Sequence, residues 1–248
     1  MINKIGIMFL KKRLETIFHR IIRKTGYDVV KCKFSKHELE IEQLLKYLNI
    51  KTVIDIGANE GQYSKNIRIG GYKQRIISFE PVSDSFAGLE KISAKDPLWD
   101  IYNFALGNFD GESEINISRN SVSSSILGIN EALTNAAPQA QYIGKQSIKV
   151  CMLDSVFKEL NVDPTNIYMK IDTQGFEKNV LLGARSSLKL IKAIQIEMST
   201  QHLYRDEDLF YQVSEFLYNE GFRLAKIVRG LTNSVGELLE FDGVFIRD

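Results

Sequence analysis

From Thr52 onward the chain alternates short, almost wholly apolar runs with stretches of helical periodicity. Runs at 52–56, 75–80, 100–105, 167–171 and 192–197 read as strands, and helical patterns fit 62–69, 83–95, 174–182 and 206–220. A strand that is apolar along its whole length must be covered on both faces, which is the situation of a parallel sheet between helical layers. The end of the chain differs. "FRLAKIVR" and "FDGVFIRD" are joined without a helical pattern and predict an antiparallel edge hairpin. The expected fold is α/β, a mostly parallel sheet with an antiparallel C-terminal edge and an N-terminal helical extension. The expected division is an extension over 1–50 and one domain over 51–248.

One region breaks the alternation. "NFDGESEINIS" reads as a turn at Asp110–Gly111 followed by a strand, and "SIKVCMLDSVFKEL" as a strand and a short helix. Between them, 119–146 is rich in Ser, Asn and Gln and weakly periodic. A loop this long in a compact domain is either functional or mobile, and a lid over a ligand is the preferred reading.

The N-terminal part has its own character. Residues 1–36 hold ten Lys/Arg against Glu15 and Asp28, a net +8, which leaves −7 on the remainder of a chain whose formal charge is +1. The acidic body argues against a nucleic-acid partner. Residues 8–24 read as a basic amphipathic helix, which suits packing on its own domain or on a second copy, or attachment to an anionic membrane surface. A second helix fits 36–48, with Ser35 and Glu38 as a capping box. Cys32 and Cys151 are the only cysteines and no run approaches a membrane span, so a cytoplasmic setting is expected, with a peripheral membrane contact as the alternative.

The stretch "TVIDIGANEGQYS", 52–64, is strand, glycine turn and helix in succession. In open parallel sheets ligands bind beyond the carboxyl ends of the strands, where strand order reverses. A dinucleotide fingerprint starting at Gly57 would need glycines at 59 and 62, where this chain has Asn59 and Gln62, and Glu60 would repel phosphates. Asp55 and Glu60 suit instead a cationic ligand without phosphate, and S-adenosylmethionine is one. Asp55 could equally tie down its own turn. "RIISFEP" ends the second strand on Glu80, whose carboxylate can accept bonds from both hydroxyls of a ribose; its other reading is a favourable charge at the next helix N-terminus. Pro81 follows, and Ser83 is placed to cap that helix.

These segments resemble the FkbM family of S-adenosylmethionine-dependent methyltransferases over roughly residues 50–248. The resemblance rests on "VIDIGANEGQYS", "ISFEP", "NFALGNFDGE", "LDS" at 153–155, "MKIDTQGFE" at 169–177, "IQIEMS" and "DGVFIR". It implies a Rossmann-like class I methyltransferase fold and methyl transfer to a hydroxyl of a sugar, glycan or related natural product. Carried over to this sequence, Asp55, Gly57, Asn59 and Gly61 line the methionine part, and Tyr63 reaches its carboxylate or is a buried aromatic. Glu80 takes the ribose, beside Pro81. Asn103 and Ala105 lie near adenine, with a strand-end polar cap as the other role for Asn103.

An alcohol needs a base, or a metal, to become a nucleophile. Asp172 ends a strand at the crevice and precedes a glycine; its other reading is a cap on the helix near 174. Glu197 ends the next strand. His202 is the one histidine of three near the strand ends. Asp172 and Glu197 could alternatively hold Mg²⁺, although a metal-free mechanism is favoured. Lys170 is expected to point away from Asp172. Two rivals stand beside the methyltransferase: a dinucleotide-dependent oxidoreductase or epimerase, and a non-catalytic module of the same fold targeted by its basic helix to a membrane assembly.

Overall fold

The structure is a computed structural model that describes Thr25 and residues 36–247. By internal packing the chain divides into Met1–Lys36 and His37–Asp248, and the fold set out here is that of the second unit. The basic helix expected over 8–24, the Ser35–Glu38 capping box and Cys32 lie outside the described residues.

The main sheet is laid down in the order expected from the alternation. Strand β1 (Thr52–Ile56) is followed by helix α2 (Gln62–Ile69), β2 (Arg75–Phe79), α3 (Ser83–Ser93) and β3 (Trp99–Tyr102). The chain later returns through β7 (Ile167–Ile171), α6 (Glu177–Gly183), β8 (Ile191–Ser199), α7 (Phe210–Asn219), β9 (Arg223–Arg229) and β10 (Glu240–Ile246). Spatial order is β3-β2-β1-β7-β8-β10-β9. Pairings from β3 to β8 are parallel, and β10 runs antiparallel to both β8 and β9, so the edge hairpin is as expected. Strand order reverses between β1 and β7, which makes their carboxyl ends the switch point where such sheets bind ligands.

All five residues of β1 and of β7 are buried. Ile54, Ile56, Met169 and Ile171 enter one core with Ile194 and Ile196, while Val53, Tyr168 and Ala193 enter another on the opposite face. Helix α1 (Lys36–Tyr47) contributes Ile41 and Leu45 to the second core.

Several boundaries differ from expectation. The strand expected over 100–105 is split: β3 ends at Tyr102, and β4 (Ala105–Leu106) joins a separate sheet of order β4-β6-β5, with β5 at Gly111–Ser118 and β6 at Tyr142–Cys151. The helix expected from 174 begins at Glu177, because Gln174 (φ 57°) and Gly175 (φ 95°) both take the left-handed conformation, which ends regular structure. Ser83 does not cap α3; it is the first helical residue, and its N–H is bonded by Gln146 Oε1 at 3.1 Å.

The polar stretch 119–146 is built rather than loose. It contains α4 (Glu131–Ala136), a 3₁₀ turn at Pro138–Ala140 and the start of β6, with α5 (Leu153–Val156) following that strand. Leu133, Ala137 and Ala140 pack with Leu203, Tyr204 and Leu239 as a separate small core. Sequence periodicity misses this because its apolar residues are few and their partners lie 63 to 106 residues away.

Gly57 is where the two halves of the sheet meet. Its φ is 77°, and a Cβ there would stand 1.9 Å from the Asp172 carbonyl oxygen. Gly57→Ala is therefore expected to cost about 3 kcal/mol or more in urea unfolding, since strain and backbone overlap combine. Gly144→Ala, whose Cβ meets nothing within 4 Å, should stay within about 1 kcal/mol of wild type.

Candidate active site at the sheet switch point

The turn after β1 is closed by its own hydrogen bonds. The N–H groups of Gly57 and Ala58 both donate to Phe79 O at 3.0 Å, and Gly61 N–H donates to Ala58 O at 2.8 Å. Asn59 N–H donates to Glu80 Oε2 at 2.8 Å, and Glu60 N–H to Asn59 Oδ1 at 2.7 Å. Every main-chain donor from Gly57 to Gly61 is thus engaged within the protein. A pyrophosphate grip depends on such donors being turned toward the ligand, so this turn is the wrong instrument for a dinucleotide. The glycines are also required by contacts within the protein: Gly57 meets the Asp172 main chain, and a Cβ at Gly61 would meet Leu89 and Trp99.

Glu80 joins the first two strand ends. Its second oxygen, Oε1, accepts the Val82 N–H at 2.8 Å, so the carboxylate spans both loops while keeping further lone pairs. It is only 5% exposed, and burial pushes it up to about 7 against the two N–H bonds. Asn103 donates its amide to Glu80 O at 2.8 Å and Pro81 O at 3.2 Å, which is the polar-cap role. Gln146 braces the same loop through Pro81 O at 3.1 Å. Ala105 is buried among Val82, Ile115, Ile148 and Val150 in the small sheet.

Asp55 is 2% exposed and accepts from Ser64 Oγ at 2.6 Å, tying β1 to α2. Burial raises it to about 6 despite that bond and the nearby Lys170 charge. Tyr63 donates its hydroxyl to Gln195 Oε1 at 3.2 Å, and its ring lies 5.8 Å from Lys170 Nζ, so it serves an internal network. Tyr168 OH donates to the same oxygen at 2.8 Å, and Gln195 Nε2 donates to Asp242 Oδ2 at 3.2 Å.

Lys170 corrects the sequence reading. Residues two apart on a strand share a face, and its ammonium bonds Asp172 Oδ2 at 3.0 Å and lies 3.7 Å from Asp242 Oδ1. Burial works against its charge, but Asp172, Asp242 and Glu197 together hold it firmly protonated. Burial likewise pulls Asp172 upward, yet Lys170 and the Gln174 amide outweigh it and keep the carboxyl below its ordinary range. Asp172 does not cap a helix, and its side chain is 36% exposed. Glu197 behaves oppositely: burial first, then the Asp172 and Glu240 charges, push it well above its ordinary range. The two carboxyls, one just past the end of β7 and one two residues before the end of β8, are thus pushed in opposite directions, the arrangement acid–base sites use.

Three residues of this constellation escaped the sequence reading. Gln174 Nε2 donates to Asp172 Oδ1 at 2.7 Å and Glu197 Oε2 at 2.6 Å, and Tyr204 OH donates to Gln174 Oε1 at 2.6 Å. Ser125 Oγ donates to Gln174 O at 2.6 Å. The 119–130 segment therefore touches the turn after β7, and also the turn after β1, where Asn59 Nδ2 stands 3.5 Å from Ser121 Oγ. His202 is exposed, and its main-chain oxygen accepts from Asn130 Nδ2 at 3.1 Å. Among the described residues no group of three or more His, Cys, Asp or Glu is arranged to hold a metal ion, and no helix is long and apolar enough to cross a membrane.

A family model described as "Methyltransferase FkbM domain" matches residues 55–224. A search of curated proteins finds no match. Among solved structures, the methyltransferase FkbM from Methylobacillus flagellatus KT is 14% identical with a TM-score of 0.46; the match covers 78% of this chain and 44% of that one. A SAM-dependent methyltransferase from Aquifex aeolicus is 15% identical, TM-score 0.41, covering 86% and 93%. The 1,6-didemethyltoxoflavin-N1-methyltransferase from Burkholderia thailandensis, with S-adenosylhomocysteine bound, is 11% identical, TM-score 0.42, covering 100% and 92%.

The raised carboxyls set a pH dependence of stability. Burial places Asp55 at about 6, Glu80 and Glu177 at about 7 and Glu240 at about 8. Each binds its proton more tightly folded than unfolded, so its contribution is complete below the ordinary carboxyl value and is lost as pH rises through these values. The melting temperature should fall steadily from pH 5 to pH 8.5. Glu240→Gln, whose amide needs no proton, should flatten the upper part of that slope in scanning fluorimetry.

Proposed function

Because the chain belongs to the FkbM methyltransferase family, we propose that it is an S-adenosylmethionine-dependent O-methyltransferase acting on a hydroxyl of a sugar, glycan or related natural product. The observation that carries the choice of cofactor is the turn at 57–61: its main-chain donors are spent internally, and the carboxylates Asp55, Glu80 and Asp172 cluster around it. Such a site attracts a cationic nucleoside and offers nothing to a phosphate. This also weighs against the dinucleotide-dependent oxidoreductase.

In this reading Asp55, Gly57, Asn59 and Gly61 shape the wall against the methionine part, and Glu80 takes the ribose hydroxyls on its remaining lone pairs. When bound, S-adenosylmethionine supplies a methyl group on a positively charged sulfur, which departs as a neutral thioether. Asp172, ionised beside Lys170, takes the proton of the acceptor hydroxyl. Glu197, pushed the opposite way from Asp172, hydrogen-bonds a neighbouring oxygen of the acceptor and so fixes its orientation. His202, exposed five residues beyond Glu197, is the third candidate for assisting this transfer. The 119–130 segment, joined to the turns after β1 and β7, acts as the lid on the acceptor side. A basic N-terminal segment suits a peripheral contact with a membrane or a second copy, in a cytoplasmic setting with no nucleic-acid partner.

Calorimetry with S-adenosylhomocysteine tests the reading. Micromolar binding is expected, weakened about tenfold or more by Glu80→Gln, with no heat from NAD or NADP. Absence of both heat and thermal shift at millimolar S-adenosylhomocysteine rejects it. A non-catalytic module would bind the same ligand and methylate no hydroxyl acceptor.

A further inference from the structure

Gln174 stands between the ends of β7 and β8 in a backbone conformation that non-glycine residues seldom adopt (φ 57°). That conformation directs its amide between two carboxyls. One hydrogen of Nε2 goes to Asp172 and the other to Glu197, while the Tyr204 hydroxyl holds Oε1. The amide's orientation is settled by these partners, because a flipped amide would set Oε1 against two carboxyl oxygens and leave the Tyr204 hydroxyl facing a donor. Gln174 thus places a neutral group between the two acids. A carboxylate in its place would add a like charge, and an aliphatic chain would leave two acids unspaced.

We propose that Gln174 is a positioning residue: held by the Tyr204 hydroxyl, its amide locks Asp172 and Glu197 into one unit and aims the Asp172 carboxylate at the acceptor hydroxyl. This inference rests on the reading of the site given above. The bond from Ser125 Oγ to Gln174 O makes the 119–130 segment part of the same unit, so closing that segment over an acceptor and setting the acid pair are one event. The groups facing the pair come from every element around it. They are Lys170 on β7, Asp55 on β1, Glu80 after β2, Glu177 on α6, and Glu240 and Asp242 on β10.

The test is a pH titration of side-chain carboxyl carbons by ¹³C NMR in the full chain, with the two signals assigned through Asp172→Asn and Glu197→Gln. Gln174→Leu should move the Asp172 midpoint upward by about one pH unit, the effect of losing one bond to a charged oxygen. Gln174→Glu keeps the volume and an oxygen for Tyr204 but replaces two donors with lone pairs, and should move it further. Tyr204→Phe should move it the same way by less. Midpoints unchanged in variants that melt as wild type overturn the proposal, because a purely structural glutamine would leave the titration alone. Tyr204→Phe decides the matter if the Gln174 variants fail to fold. Absence of S-adenosylhomocysteine binding in wild type defeats the reading of the site and leaves the titration result standing by itself.

Discussion

A lysine ammonium sealed inside a parallel sheet is the interaction on which the rest of this structure turns. Lys170 is 5% exposed, and an unpaired charge at that depth would be prohibitive. Asp172 and Asp242 make it tolerable, and the relation is mutual, since Lys170 is what keeps Asp172 ionised. From there the constraint propagates. Asp172 receives one hydrogen of the Gln174 amide, Glu197 receives the other, and Tyr204 sets the amide. The crevice chemistry and the sheet core are therefore a single electrostatic object, and Lys170 belongs to both.

The same logic explains why the crevice sits where it does. Strand order reverses between β1 and β7, and the two chains approach so closely there that only a residue without a side chain fits against the Asp172 carbonyl. The sequence signal of a glycine turn is real, but its immediate cause is contact between protein backbones. Around the turn stand Glu80 spanning two loops, Asn103 and Gln146 bracing the second loop, and the serine-rich segment reaching over from the small sheet.

Much of this was legible from residues alone. Continuous apolar runs gave the parallel strands and their direction, and a change of pattern at the end gave the antiparallel edge. Asp55, Glu80 and Asp172 were legible as carboxylates at or near strand ends, whereas Glu197, read as ending its strand, lies inside β8, which pairs with β10 for two residues further. What escaped has specific causes. Lys170 was misplaced because its face was misjudged, although period-two geometry puts it beside Asp172. Gln174 and Tyr204 escaped because their partnership spans 30 residues of sequence and depends on a left-handed backbone that no residue type announces. The 119–146 segment was opaque because its few apolar residues are completed by Leu203, Tyr204 and Leu239. Ala105 was assigned to a strand that divides, one half going to each sheet.

The self-satisfied turn at 57–61 has a thermodynamic consequence. Its backbone reaches a complete set of hydrogen bonds during folding, so little ordering is deferred until a ligand arrives. The conformational entropy of that segment is surrendered once, by the chain itself. Recognition at this wall is then a matter of shape and charge on a surface already set.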